Sequence, residues 1–203
     1  MNRQALINKV KSIIDEISAP DSVIIDVGVD DNNPIDTIIT SLLDESAREI
    51  LLKAPVYKLS PASSATQAVA SSTDPKTGTI DLPADFLRLV ELKMLEWQRP
   101  VTELNLQGSY TAKIQSNKYL RGGLSKPVAV LSHREGKKVI EYYSVNNSHS
   151  ISRFLYIKED VAENIPVQLQ DALCWICASR VCAAIGETSK VEMAEKNAIS
   201  LMM

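Results

Sequence analysis

The sequence predicts an α+β fold: a helical bundle of two N-terminal and two C-terminal helices, with an inserted small antiparallel β-region and a long flexible arm. Two observations carry that reading. Apolar residues recur at helical spacing near both ends of the chain and at every second position in the middle. The helical segments flank the strand-like ones instead of alternating with them, which excludes a βαβ order.

The first helix is expected over residues 3 to 18, where Leu6, Val10, Ile13, Ile14 and Ile17 form one stripe that stops before Pro20. In the second, Asn33 serves as N-cap and Pro34 takes the first helical position, with its fixed φ and missing N–H donor. Ile35, Ile38, Ile39, Leu42, Leu43, Ala47, Ile50 and Leu51 then make its core stripe, up to Pro55. On this pattern Leu42→Asp is expected to unfold the helix or break what it packs on.

Residues 60 to 77, "SPASSATQAVASSTDPKT", have no period and only Val69 as a sizeable apolar side chain. Ordering each residue costs about 1 to 2 kcal/mol, so a disordered arm that orders only against a partner is expected. The strands follow. "TIDLP" is short, and "VELKMLEW" sets Val90, Leu92 and Met94 against Glu91 and Lys93. "PVAVLSHREGKKVIEYY" reads as a hairpin turning at Arg134 to Lys137, and "ISRFLYI" as a last strand. Residues 103 to 126 make a polar crossing between them. Pro166 opens a third long helix over Val167 to Ile185, closed by Gly186 as C-cap, and Ser189 with Glu192 begins a final helix to about Leu201.

All 203 residues are expected in one domain, without a second independent core: 1–57 and 160–203 helical, 58–77 the arm, 78–158 the β-region. A net charge of −3 argues against general attraction to nucleic acid or anionic membrane. No apolar run approaches the roughly 20 residues of a membrane span, and no signal-peptide order is visible, so a soluble intracellular protein is expected. The charge is segregated. From Asp15 to Glu49 ten acidic residues face Arg48 alone, whereas from Lys113 to Lys138 seven basic residues face Glu135 alone. Such opposite regions suit contacts between neighbouring subunits.

All three cysteines fall within nine positions, and Cys174 and Cys177 form C-x-x-C. A reactive thiol of that motif needs a helix N-terminus, yet Cys174 lies inside an expected helix that is apolar nearly all round. The cysteines are therefore read as core. His133 and His149 stand in a hairpin and a polar loop, too few to complete a zinc set. Phosphate-loop, dinucleotide, nucleophile-elbow and H-E-x-x-H motifs are missing, and Asp30 and Asp31 lack calcium-loop spacing. No enzyme activity, cofactor or metal is expected.

The succession "TGTIDLPADFLRLVELKMLEWQRPVTEL", "QSNKYLRGGLSKPVAVL", "IEYYS" and "LQDALCWICASRVCAAIGETSKVEMAEKNAISLM" resembles the head-to-tail adaptor, or ring, proteins of tailed bacteriophages, particularly crAss-like phages. The resemblance covers roughly residues 78 to 203 and rests on texture, with no catalytic fingerprint. It implies a structural virion protein, assembled in the host cytoplasm, that forms a homo-oligomeric ring joining portal to tail and lining the DNA passage during genome ejection. Its partners would be copies of itself, twelve by the family analogy, the portal protein and other tail or ring proteins, with no membrane. The segregated charge then assigns Arg121, Lys126, Arg134, Lys137 and Lys138 to contacts with Asp30, Asp31, Asp44 and Glu45 of a neighbour. Two rivals remain. One is a nucleic-acid-binding module using the basic 113–138 segment, with Tyr110, Tyr119, Tyr142 and Tyr143 as stacking groups. The other is a thiol oxidoreductase built on Cys174.

Overall fold

Apolar stripes at helical spacing become α1 (Arg3–Ser18) and α2 (Pro34–Lys53) in a computed structural model that describes residues 1–18 and 34–203. Leu6, Val10, Ile13, Ile14 and Ile17 of α1 are all buried, as their spacing requires. In α2 the buried line is Ile39, Leu43, Ala47, Ile50 and Leu51, while Ile35, Ile38 and Leu42 are half-buried at its edge. Leu42 is therefore the margin of the stripe and Leu43 its centre. The expected Asn33 cap lies outside the described residues.

The chain divides into two compact units, one formed by Met1–Ser60 with Glu159–Met203 and the other by Pro61–Lys158. In the helical unit, α4 (Gln170–Ala184) is central and packs against α1, α2 and α5 (Thr188–Met202). Its position explains its composition. A helix with neighbours on several sides needs apolar residues around most of its circumference, and Leu173, Cys174, Ile176, Cys177, Ala178, Val181 and Cys182 are all buried. Small residues at Cys174, Cys177 and Ala178 allow the neighbours to approach. The helix starts later than its apolar pattern suggests, because Val167–Leu169 forms a 3₁₀ turn after Pro166. Likewise α5 begins at Thr188 with no side-chain cap, so the Ser189/Glu192 pair does not act as a capping box.

The second unit holds two sheets. One has the order β1 (Ala62–Ser63), β8 (Ile151–Lys158), β4 (Phe86–Met94) and is antiparallel throughout. The other runs β2 (Ala68–Ala70), β3 (Gly78–Asp81), β7 (Lys137–Tyr142), β6 (Ala129–Arg134), β5 (Asn105–Leu106), with β5 parallel to β6. Glu135 and Gly136, both at positive φ, make the two-residue turn between β6 and β7. Ile80, Leu92, Met94, Trp97, Ile140, Tyr142 and Phe154 are central to its core.

The fold class expected from sequence is thus corrected. Among the described residues the chain is a mixed α/β protein with five helices and two sheets, of three and five strands. Instead of one small antiparallel region there are two sheets, one with a parallel pair. The crossing segment contains a short helix, α3 (Tyr110–Ile114), capped by Ser109, whose hydroxyl accepts from the Ala112 N–H at 3.2 Å. The long flexible arm is replaced by two edge strands. Ala62 and Ser63 pair with Tyr156 and Leu155, and Ala68 to Ala70 pair with Ile80 to Gly78. An edge strand is held by backbone hydrogen bonds on one side, so it needs no apolar alternation, and this is why composition misjudged the segment. The face of β4 also shifts. Leu89, Leu92 and Met94 are buried and Val90 half-buried, because irregularities in the β4–β8 register, one between Leu89 and Glu91, displace the alternation.

Candidate binding surfaces

The residues assigned to subunit contacts fall into three groups. Asp30 and Asp31 lie outside the described residues. Asp44, Glu45, Arg121 and Arg134 hold partners within their own units. Lys126, Lys137 and Lys138 are exposed, and among the described residues no ion pair is seen for them.

Asp44 joins three elements of the helical unit. It pairs with Arg3 of α1 at 3.0 Å and accepts the Ala162 N–H at 3.1 Å, at the 3₁₀ turn Ala162–Asn164. The Arg3 guanidinium, helped by that N–H, holds its carboxyl below the ordinary carboxylate value. Arg180 of α4 hydrogen-bonds Glu49 at 2.8 Å and lies 2.9 Å from Glu45, tying α4 to α2. These are partly solvated pairs, each worth about 0 to 1 kcal/mol. Their role is to set which faces of the helices meet.

In the sheet unit Arg134 donates to Glu141 across the hairpin at 2.9 Å, and Tyr143 donates to the same carboxylate at 2.8 Å. Burial opposes ionisation of Glu141, but those bonds outweigh it and hold its carboxyl below the usual value. Lys137 and Lys138 remain as the exposed charges at the start of β7. Arg121 is deeply placed, its side chain only 11% exposed, and pairs with Asp74 at 2.8 Å. Asp74 accepts the Lys76 N–H as well, and these two contacts lower its pKa.

That pair borders an open cleft of about 690 Å³, lined by Lys76, Lys118, Tyr119, Arg121, the Gly122–Gly123 backbone and Asn146 among others. The 115–126 stretch arrives here by turns: Gln115 accepts the Gly122 N–H at 2.9 Å, and the Ser144 hydroxyl donates to the Gly122 carbonyl. Lys76 and Asp74 were missed by sequence reasoning. Their one signal is the turn-forming "DPKTG", and nothing local tells that it folds against residues some 45 positions later.

Of the four tyrosines read as stacking groups, Tyr110 and Tyr119 are 79% and 82% exposed. Tyr142 is buried and Tyr143 half-buried. Burial pushes the Tyr142 phenol up to about 12, and its hydroxyl shares a hydrogen bond of 2.5 Å with His149 Nδ1. His149 is thus a loop-locking group, whereas His133 is exposed on β6.

The cysteines are free and buried. Burial pushes the Cys174 thiol up to about 11 and the Cys177 thiol up to about 12, and raises Cys182 as well. None has the thiolate character a nucleophile needs. The expected outcome with a disulfide reagent is no fast reaction in the native protein and three reactive thiols after denaturation. Rapid native titration of one cysteine would contradict this placement. Among the described residues no cluster of three or more His, Cys, Asp or Glu could hold a metal ion, and no helix is long and apolar enough to cross a membrane.

No protein-family model matches the sequence, and no curated protein matches it.

Proposed function

We propose that this chain is a structural virion subunit of a homo-oligomeric ring that joins the portal of a tailed phage to its tail and lines the DNA passage, without catalysing a reaction. The observation that carries the reading is the exposed cationic pair Lys137 and Lys138 at the turn end of the β6–β7 hairpin, in a chain whose acidic residues cluster near its N-terminus. Heterologous ring contacts need two different complementary surfaces on each subunit. Asp44 and Glu45 already hold ion pairs within the helical unit, so the acidic side falls more naturally to exposed Asp15 and Glu16 at the end of α1. The helical unit also leaves Tyr57 and Met203 largely exposed and Met193 and Ile199 about half exposed, which is apolar surface suited to a neighbour. Buried thiols give the oxidoreductase reading no support.

The test is assembly. Lys137→Glu combined with Lys138→Glu is expected to lower the ring fraction measured by mass photometry, alone and with portal protein, while circular dichroism stays unchanged because both side chains are exposed. The loss should be greatest at low salt, where surface charges are least screened. Equal assembly of the double variant and the parent across low and high salt would remove the charge-matching basis of the proposal.

A further inference from the structure

The cleft in the sheet unit has a composition that subunit packing does not require. Lys76, Lys118 and Arg121 converge on it, and Asp74 is the one acidic residue in its lining. From Leu104 to Arg134 the chain contains five basic residues and no acidic one, so little nearby in sequence offsets this field. Tyr119 stands at the same cleft, 82% exposed, with the Lys118 ammonium 5.0 Å from its ring centroid. A large aromatic ring left in water beside three cations offers two kinds of contact at once: a flat surface for another ring, and charge for an anion. The volume, about 690 Å³, lies in the range of small-molecule sites. Arg121 is held by Asp74, so its guanidinium keeps one orientation and presents its remaining donors without paying for side-chain ordering.

We propose that this cleft binds a nucleotide unit, with its phosphate held by Lys76, Lys118 and Arg121 and its base stacked on Tyr119. A nucleotide satisfies both features together, whereas an acidic peptide would use the cations and leave the exposed ring without a role. The unit can belong to a free nucleotide or to a single-stranded polynucleotide, which present the same phosphate and base. The proposal does not depend on ring assembly and can be tested on the isolated chain.

The experiment is fluorescence anisotropy with an end-labelled oligodeoxyadenylate of about 15 nucleotides, titrated at several salt concentrations. Binding is expected at low salt, with log affinity falling against log salt at a slope of about −0.7, as neutralisation of one phosphate of a single strand predicts. Tyr119→Ala should weaken binding roughly tenfold, while Tyr119→Phe, which keeps the ring, should restore it. Because Tyr119 is largely exposed, neither change should disturb folding. Lys118→Ala and Lys76→Ala should each lower affinity and flatten the salt dependence. Lys137→Ala with Lys138→Ala, the same kind of charge loss at the hairpin, should have little effect. Competition by dATP at concentrations comparable to the strand identifies a mononucleotide site, and its failure to compete identifies a polynucleotide one; both agree with the proposal. No binding at low salt, unchanged binding by Tyr119→Ala, equal loss in the hairpin double variant, or equal displacement by polyglutamate of matched charge would each overturn it.

Discussion

Leu43→Ala is expected to lower the unfolding free energy of the helical unit by about 3 kcal/mol, within the 2 to 5 that buried Leu→Ala changes cost. Leu43 is fully buried in α2, which packs on the central helix α4. Removing its side chain forfeits transfer energy and leaves a space that the surrounding side chains fill only in part. Leu42, one position earlier, is half-buried, so Leu42→Ala should cost about 1 kcal/mol or less by its smaller buried area. Urea denaturation followed by far-ultraviolet circular dichroism measures both. The assignment of the core-facing line fails if Leu42→Ala destabilises as much as Leu43→Ala. Leu43→Asp, which puts an unpaired charge in the same place, should abolish the helical transition.

Gly78→Ala should destabilise the sheet unit by about 1 to 3 kcal/mol, and Gly78→Val by more, as overpacking of a filled core does. Gly78 is buried in β3. A Cβ added there would overlap the Val69 carbonyl oxygen of β2 and the hydroxyl end of Tyr142. Tyr142 is buried and tied to His149, so it has little room to withdraw. The easier movement is that of the edge strand β2, and hydrogen exchange should show the β2–β3 amides losing protection first. A double-mutant cycle tests the mechanism. Tyr142→Phe removes the oxygen in the way, so the Gly78→Ala penalty should be smaller in that background. Strict additivity would mean that the Tyr142 hydroxyl is not what the new methyl group meets.

How legible the candidate sites were depends on how local each signal is. The buried character of Cys174, Cys177 and Cys182 was readable because it follows from one helix's composition. Exposure of Lys137 and Lys138 was readable because a two-residue turn at Glu135–Gly136 fixes the hairpin around them. The engagement of Asp44 by Arg3, of Glu45 by Arg180 and of Arg121 by Asp74 was not readable. Those partners are 41, 135 and 47 residues apart, and charge patterning records only that both signs exist. Tyr142, one of the four tyrosines proposed as stacking groups, is turned inward for a related reason: β7 alternates faces, and only its sheet partners decide which face is the core.

By itself the sequence determined the four long helices to within a few residues, the β6–β7 hairpin, the strand over Ile151–Lys158, the existence but not the bounds or face of β4, and the apolar interior of α4. Each of these follows from hydrophobic period or turn chemistry within one short window. Tertiary structure alone decided that strands form two sheets, that β5 runs parallel to β6, that the uncharged 61–73 stretch supplies edge strands, and that Lys76 meets Arg121 and Tyr119 at one cleft. Backbone pairing is open to almost any sequence, so a strand without apolar alternation becomes visible only when its partner is in place.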